Sequence, residues 1–137
     1  FGYCWAWIRE NLTAGKHDSV LIGWAADNGD PDNFYRPLLT CAAIPSGTNR
    51  ARWCNPEYDS LIESALKTED SNERWIFYHR ANQIIFRETP LVPIAHAFQY
   101  QAVNNKIEGI TINPFGGIRF DDVVRKQWLI YYYAISI

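Results

Sequence analysis

Asp27, Asp30 and Asp32 crowd one short stretch of the chain, Ala26-Asp27-Asn28-Gly29-Asp30-Pro31-Asp32-Asn33. Carboxylates at this density suit calcium ligation, an acid and base pair for hydrolysis, or ion pairing with a cationic ligand. A calcium loop of the EF-hand type needs a Glu at its twelfth position, and counting from Asp27 that position is Leu38. Hydrolysis through Asp27 and Asp30 would need supporting groups. The chain has no Gly-x-Ser-x-Gly elbow, His-Glu-x-x-His helix or phosphate-cradling glycine loop, so it is not read as an enzyme. The plainest role for at least two of the three acids is loop formation, with Asx side chains bonding local amides and Asp32 capping the next element of the chain. Asp27 stands apart, because it follows Asp18-Ser19-Val20-Leu21-Ile22-Gly23-Trp24-Ala25, a short apolar run that reads as a buried strand. Open α/β sheets place ligand crevices at the carboxyl ends of strands. Asp27 could there pair with a ligand ammonium through charge-assisted hydrogen bonds. Trp24 offers an apolar wall, although the core is the commoner place for such a ring.

Cys41 and Cys54 enclose twelve residues, among them Pro45, Ser46, Gly47, Thr48 and Asn49. Their spacing leaves two readings open: a disulfide stabilising by about 3 kcal/mol on the chain-entropy model, or two unrelated buried thiols. Metal ligation finds no support, since there is no Cys-x-x-Cys and His17, His79 and His96 are scattered without ligand spacing. Cys4 is left as a lone thiol, or as one whose partner lies beyond this sequence.

The elements that would position these groups can be read from pattern. Tyr3, Trp7, Ile8 and Leu12 recur at helical spacing before Gly15, marking the end of an amphipathic helix over 1–12. Asn55-Pro56-Glu57 has an N-cap followed by proline at the first helical position, and Leu61, Ile62, Ala65 and Leu66 then give one apolar face over 56–67. Asp70 with Glu73 resembles a capping box, and Trp75, Tyr78, Ala81, Asn82, Ile85 and Phe86 repeat at three and four until Pro90 ends the helix. The apolar run 91–98 reads as a strand that Pro93 confines to an edge, a start or a bulge, with 99–103 extending it. A further strand is read at 109–112, before the turn Asn113-Pro114-Phe115-Gly116-Gly117. Strands alternating with helices give an α/β reading, mixed with α+β character.

At 137 residues the chain has the length of one domain, and with 47% hydrophobic residues it can bury a core. A net charge of -2 without like-charge blocks argues against nucleic acid as a partner. The longest apolar run, Trp128 to Ile135, is eight residues, too short for a membrane-spanning helix. A start at Phe1 in mid-pattern, with no Met and no leader, reads as a piece of a longer chain.

A longer pattern runs through these features. Gly23-Trp24-Ala25-Ala26-Asp27-Asn28-Gly29-Asp30-Pro31, then Tyr35-Arg36-Pro37-Leu38-Leu39-Thr40-Cys41-Ala42-Ala43-Ile44 and Trp53-Cys54, resembles the periplasmic dipeptide and oligopeptide-binding proteins of ABC transporters, solute-binding family 5. The second of these runs resembles the SapA branch, associated with peptide transport and antimicrobial-peptide resistance. The similarity continues through Asn55-Pro56-Glu57-Tyr58-Asp59, Thr89-Pro90-Leu91-Val92-Pro93-Ile94-Ala95-His96 and the turn at 113–117, covering roughly 15–125.

This resemblance implies the C-terminal part of a two-lobed fold of the periplasmic-binding-protein-like II type, over 1–127, with 128–137 a divergent apolar tail. It implies a disulfide between Cys41 and Cys54. It implies that Asp27 anchors a peptide amino terminus, that Trp24 and the backbone at Ala26 line the cleft, and that the groups receiving the ligand carboxylate lie upstream. No cofactor is expected. The implied partners are a peptide and an inner-membrane ABC permease, and the implied location is the periplasm of a Gram-negative cell, with the export signal outside this sequence. Two alternatives stay open: a haem-binding member of the family using His17, His79 or His96, and an inactive truncated piece. The tail, β-prone, uncharged and free of proline, has the signature of an aggregation-prone strand.

Overall fold

The computed structural model describes residues 4–98, 100–113, 115 and 117–126. They fall into two units, Phe1–Ala95 and His96–Ile137. The apolar tail, and with it the boundary drawn at 127, lies outside the described residues.

The first unit is helical: α1 (Trp5–Thr13), α2 (Asp32–Leu39), α3 (Ala43–Ser46), α4 (Pro56–Lys67) and α5 (Ser71–Glu88). Local chemistry sets several of these boundaries. The α1 helix stops because Gly15 takes φ 68°, and the amides of Gly15 and Lys16 then donate back to the carbonyls of Leu12 and Asn11. At the start of α4, the Asn55 side chain accepts from the amides of Glu57 and Tyr58 at 2.9 and 3.1 Å, with Pro56 as first helical residue. At the start of α5, the Asp70 carboxylate accepts from Asn72 and Glu73, both at 2.9 Å. The aspartate thus makes its half of the predicted capping box. The Glu73 side chain makes no reciprocal bond among the described residues.

The core lies where α4 packs on α5, with the end of α2 set against both. Tyr58, Leu61, Ile62 and Ala65 of α4 meet Tyr78, Ala81 and Ile84 of α5, and Leu39 closes one end. Tyr58 is fully buried, and its hydroxyl donates to the Tyr35 carbonyl at 2.8 Å, so that enclosure leaves no donor unmade. Burial raises the Tyr58 hydroxyl far above the ordinary tyrosine range. The buried face of α5 differs from the predicted one. Tyr78 and Ala81 are inside as expected, but Trp75 and Phe86 are 64% and 88% exposed, while Ile84 is buried. A 3.6-residue period with apolar residues on more than one side of a helix leaves the choice of face to its neighbours. Trp75 instead stacks on His79, with ring centroids 5.0 Å apart.

Two predicted strands are not formed. The run 18–25 is irregular, with Leu21 81% exposed, and 91–98 is likewise irregular, with Ile94 75% exposed. A strand is held by a neighbour's backbone, and no described segment pairs with either run. The described residues of 99–103 also form no strand.

The second unit holds β1 (Ile107–Glu108), β2 (Thr111–Ile112), β3 (Ile118–Arg119) and β4 (Val124–Arg125). Ile107 pairs antiparallel with Arg125 and Glu108 with Val124, while Thr111 pairs with Arg119 and Ile112 with Ile118. These are two separate two-stranded sheets, the second lying within the first in sequence and enclosing the predicted turn, where the Asn113 amide donates to the Gly117 carbonyl at 2.7 Å. The predicted strand at 109–112 is shortened because Gly109 breaks it with φ 84°. A Cβ there would collide with the Asp122 carbonyl, so the position requires glycine.

The helix seam should dominate the stability of the first unit. Ile62→Ala is expected to cost about 2–5 kcal/mol and Asp70→Ala about 1 kcal/mol, measured by urea unfolding followed by circular dichroism. Equal effects of the two would contradict a stability centred on the seam.

Candidate functional site

The acidic loop is organised by its own side chains. The Asn28 side-chain oxygen Oδ1 accepts from the Asp30 amide, and the Asp30 carboxylate accepts from the Asp32 amide, both at 2.9 Å. These are the local Asx bonds expected of a loop former. The aspartates then divide. Asp32 pairs with Arg36 one turn along α2, at 3.0 Å. Asp32 therefore does not cap α2, and Asp30, two residues before it, accepts the amide at the helix start instead.

Asp30 also reaches across the sequence. Both its oxygens lie 2.9 Å from Nη2 of Arg74 on α5. The Asp32 amide, then the Arg74 guanidinium, hold the Asp30 carboxyl below its ordinary range, against partial burial that pushes it up. Arg74 in turn donates from Nε to the Ala65 carbonyl at 3.1 Å and from Nη2 to the Tyr78 hydroxyl at 3.1 Å. Neither Arg74 nor its pairing was visible in the sequence, since the partners are separated by 44 residues with no spacing rule linking them.

Trp24 and Asp27 are brought together by Asn33. The Asn33 side-chain oxygen accepts from the Asp27 amide at 2.9 Å, and its backbone carbonyl accepts from the Trp24 indole Nε1 at 2.8 Å. That carbonyl is open to a side chain because Pro37 sits inside α2, four residues on, and has no N–H to donate back to it. The indole satisfies the acceptor that the proline leaves. An Asn near a helix start with a proline four residues later was the available signal for this node, and sequence reasoning passed over it. Trp24 is not a core residue, being about two-fifths exposed, and Ala26 is half-buried. The Asp27 carboxylate is exposed and makes no hydrogen bond or ion pair among the described residues.

After α2 the chain is closed by the disulfide between Cys41 and Cys54, with Cα atoms 4.5 Å apart. The buried Asn49 amide donates to the carbonyls of Thr40 and Trp53 at 3.0 and 2.8 Å, tying both ends of the loop from within. The Asp59 carboxylate accepts from the Cys41 amide at 3.2 Å, fastening the bridge to α4. Burial pushes the Asp59 carboxyl up, and the Cys41 amide partly opposes this. Glu88 at the end of α5 accepts from the Trp53 indole at 2.8 Å and from Asn55 at 2.9 Å. These donors, the indole first, hold its carboxyl below the ordinary range. The α1 end is tied to the same loop, through Arg50 to the Thr13 hydroxyl at 2.8 Å and through His17 Nε2, which donates to the Arg50 carbonyl at 2.9 Å. His17 and His79 are thus engaged in protein contacts, His96 is exposed, and Cys4 is an exposed free thiol. No cluster of metal-ligating side chains occurs among the described residues.

Comparison with known proteins gives the wider frame. The chain is 45% identical over 112 residues to the peptide transport periplasmic protein SapA of Salmonella typhimurium, a match covering 82% of this chain and 20% of SapA. It is 35% identical to the dipeptide-binding protein of Escherichia coli, covering 88% of this chain and 23% of that protein. The crystal structure of a dipeptide-binding protein from a Pseudoalteromonas species, in complex with Met-Leu, superposes with a TM-score of 0.83 at 48% identity, covering 90% of this chain and 24% of that one. Over most of its length the chain is homologous to a segment of these periplasmic peptide-binding proteins. It spans about a fifth of the length of the curated relatives it matches. Its mixed helices and strands correspond to part of the family's fold, and the relatives named here are binding proteins, not enzymes. No protein-family model matches the chain. No helix among the described residues is long and apolar enough to cross a membrane.

The loop's attachment should depend on pH in a set direction. Because the folded state lowers the Asp30 carboxyl, its stabilising contribution is present above about pH 4, the unfolded value, and is lost as pH falls through the lower folded value. Hydrogen-exchange protection of the Asp32 amide, which Asp30 holds, is expected to persist from neutral pH to about 4 and to vanish below. Asp30→Asn is expected to abolish that step, and an unchanged step would assign it to another group.

Proposed function

We propose that this chain supplies the surface on which a binding protein receives the amino terminus of a peptide, and that the intact protein passes its ligand to an inner-membrane ABC permease. One observation carries the reading. Of the three aspartates in the loop, Asp30 is committed to Arg74 and Asp32 to Arg36, while the Asp27 carboxylate stays exposed with its backbone amide pinned by Asn33. An unspent carboxylate on a fixed backbone is preorganised to accept two or three N–H bonds from a peptide ammonium. The half-exposed Trp24 ring, held by the same Asn33, gives that ammonium an apolar flank, with the backbone at Ala26 between them.

The kinship with SapA and with dipeptide-binding proteins supports a peptide as the ligand class. It also supports a periplasmic home for the intact protein. The Cys41–Cys54 bridge is at ease in that oxidising compartment. Catalysis is no part of the reading, since the loop carboxylates are spent on structure or aimed at a ligand's charge.

Asp27→Asn in a full-length protein carrying this segment keeps the shape and removes the charge. Loss of a charge-assisted hydrogen bond of about 1.5–3 kcal/mol is expected to raise the Kd for a dipeptide by roughly 10- to 150-fold, read by titration calorimetry. Unchanged affinity would remove Asp27 from the anchor role.

A further inference from the structure

We propose that Arg74 and Asp30 are positioning residues for the peptide amino-terminus site: their ion pair, carried through α2 and Asn33, sets where the Asp27 carboxylate stands. This rests on the reading of Asp27 as the anchor, and it adds a residue on a different element, 47 positions along the chain, to the determinants of ligand selectivity.

The guanidinium is aimed before it meets the loop. Nε donates to the Ala65 carbonyl in the last turn of α4, Nη2 donates to the Tyr78 hydroxyl, and Cζ lies 5.6 Å from the centre of the Tyr78 ring. Both of those partners belong to the buried helix seam, Ala65 and Tyr78 being core residues. Asp30 is therefore bonded to a group whose direction the core has already chosen. Its two oxygens accept at 2.9 Å, and one of them also accepts from the Asp32 amide at 2.9 Å, so the same carboxylate joins α5 to the first turn of α2. The next residue, Asn33, holds the Asp27 amide through its side chain and the Trp24 indole through its carbonyl. A displacement of Asp30 is transmitted through each of these bonds to Asp27 and Trp24 together. A lysine could supply the charge, but its single ammonium lacks the planar fork that serves Ala65, Tyr78 and Asp30 at once.

The test compares affinities for one dipeptide with a free amino terminus and for the same dipeptide N-acetylated, in the full-length protein. The ratio of the two isolates the ammonium contact, which a general loss of stability would leave alone. Arg74→Lys and Asp30→Asn are each expected to lower the ratio by about tenfold, a value within the usual range of coupling between contacting groups. The double variant is expected to fall little further than the larger single change, because both act through one bond. Glu63→Gln, in the exposed pair with Lys67 on α4, is the control and should keep the ratio. Asp27→Asn is measured beside them. If it lowers the ratio while Arg74→Lys and Asp30→Asn do not, or if these two weaken both ligands equally, the positioning role is overturned and the anchor stands. If Asp27→Asn leaves the ratio unchanged, the anchor and the positioning role fall together. Should Arg74→Lys fail to fold, the isosteric Asp30→Asn on the loop decides alone.

Discussion

The contact between α4 and α5 is the constraint to which the rest of the first unit is fastened. Tyr58, Ile62 and Ala65 face Tyr78, Ala81 and Ile84 with almost no exposure, and apolar burial is the principal stabilising term available to a unit of this size. Polar attachments then radiate from that seam. Asp59 on α4 holds the Cys41 amide, Glu88 on α5 gathers Trp53 and Asn55, and Arg74 on α5 holds Asp30. Each of these ties a loop to a helix whose position is already determined by packing. The loops are ordered by the helices, and the polar side chains report the seam's geometry outward to the surface.

That arrangement explains how a surface loop can present a carboxylate at a defined place. Loops are ordinarily the least fixed parts of a fold. Here the acidic loop is tied at three levels: by its own Asx bonds, by Asn33 at the start of α2, and by Asp30 to the helix seam. The Cys41–Cys54 bridge, with Asn49 inside it, limits how far the end of α2 can move. The proline within α2 takes part as well, since the carbonyl it leaves unpaired is what Trp24 grips.

Much of this was legible in the sequence where the determining interaction is local. The starts of α4 and α5 follow from Asn55-Pro56 and Asp70, whose effects reach three residues at most. The disulfide followed from family resemblance, because cysteine spacing alone admits buried thiols. Asx chemistry made the loop-forming role of Asp30 readable, while Asp32 pairs with Arg36 instead of bonding a local amide; the candidacy of Asp27 was read from a preceding buried strand, which is not what the structure shows. The runs 18–25 and 91–98 have strand composition, yet strand formation depends on a second backbone that composition cannot supply, and the chain spans about a fifth of the relatives that carry its pattern. The α2 helix escaped notice because Pro31 precedes its short span and Pro37 lies within it, and Arg74 did so because its partner is distant. The side of α5 that packs inward was misassigned at Trp75 and Phe86 for a related reason: a helix with rings on several faces takes its orientation from its neighbours.

The short connection between α4 and α5 has a consequence for the order in which the structure assembles. Thr68, Glu69 and Asp70 are all that separate the two helices, so bringing them together closes a very small loop, at small entropic expense and high speed. Contacts that reach back to the acidic loop span some forty residues and must form later. When the loop arrives, Ala65 and Tyr78 already hold the guanidinium that receives Asp30. The helical hairpin thus acts as a template in time as well as in space. The β-prone runs, which find no partner backbone among the described residues, stay open to other chains throughout.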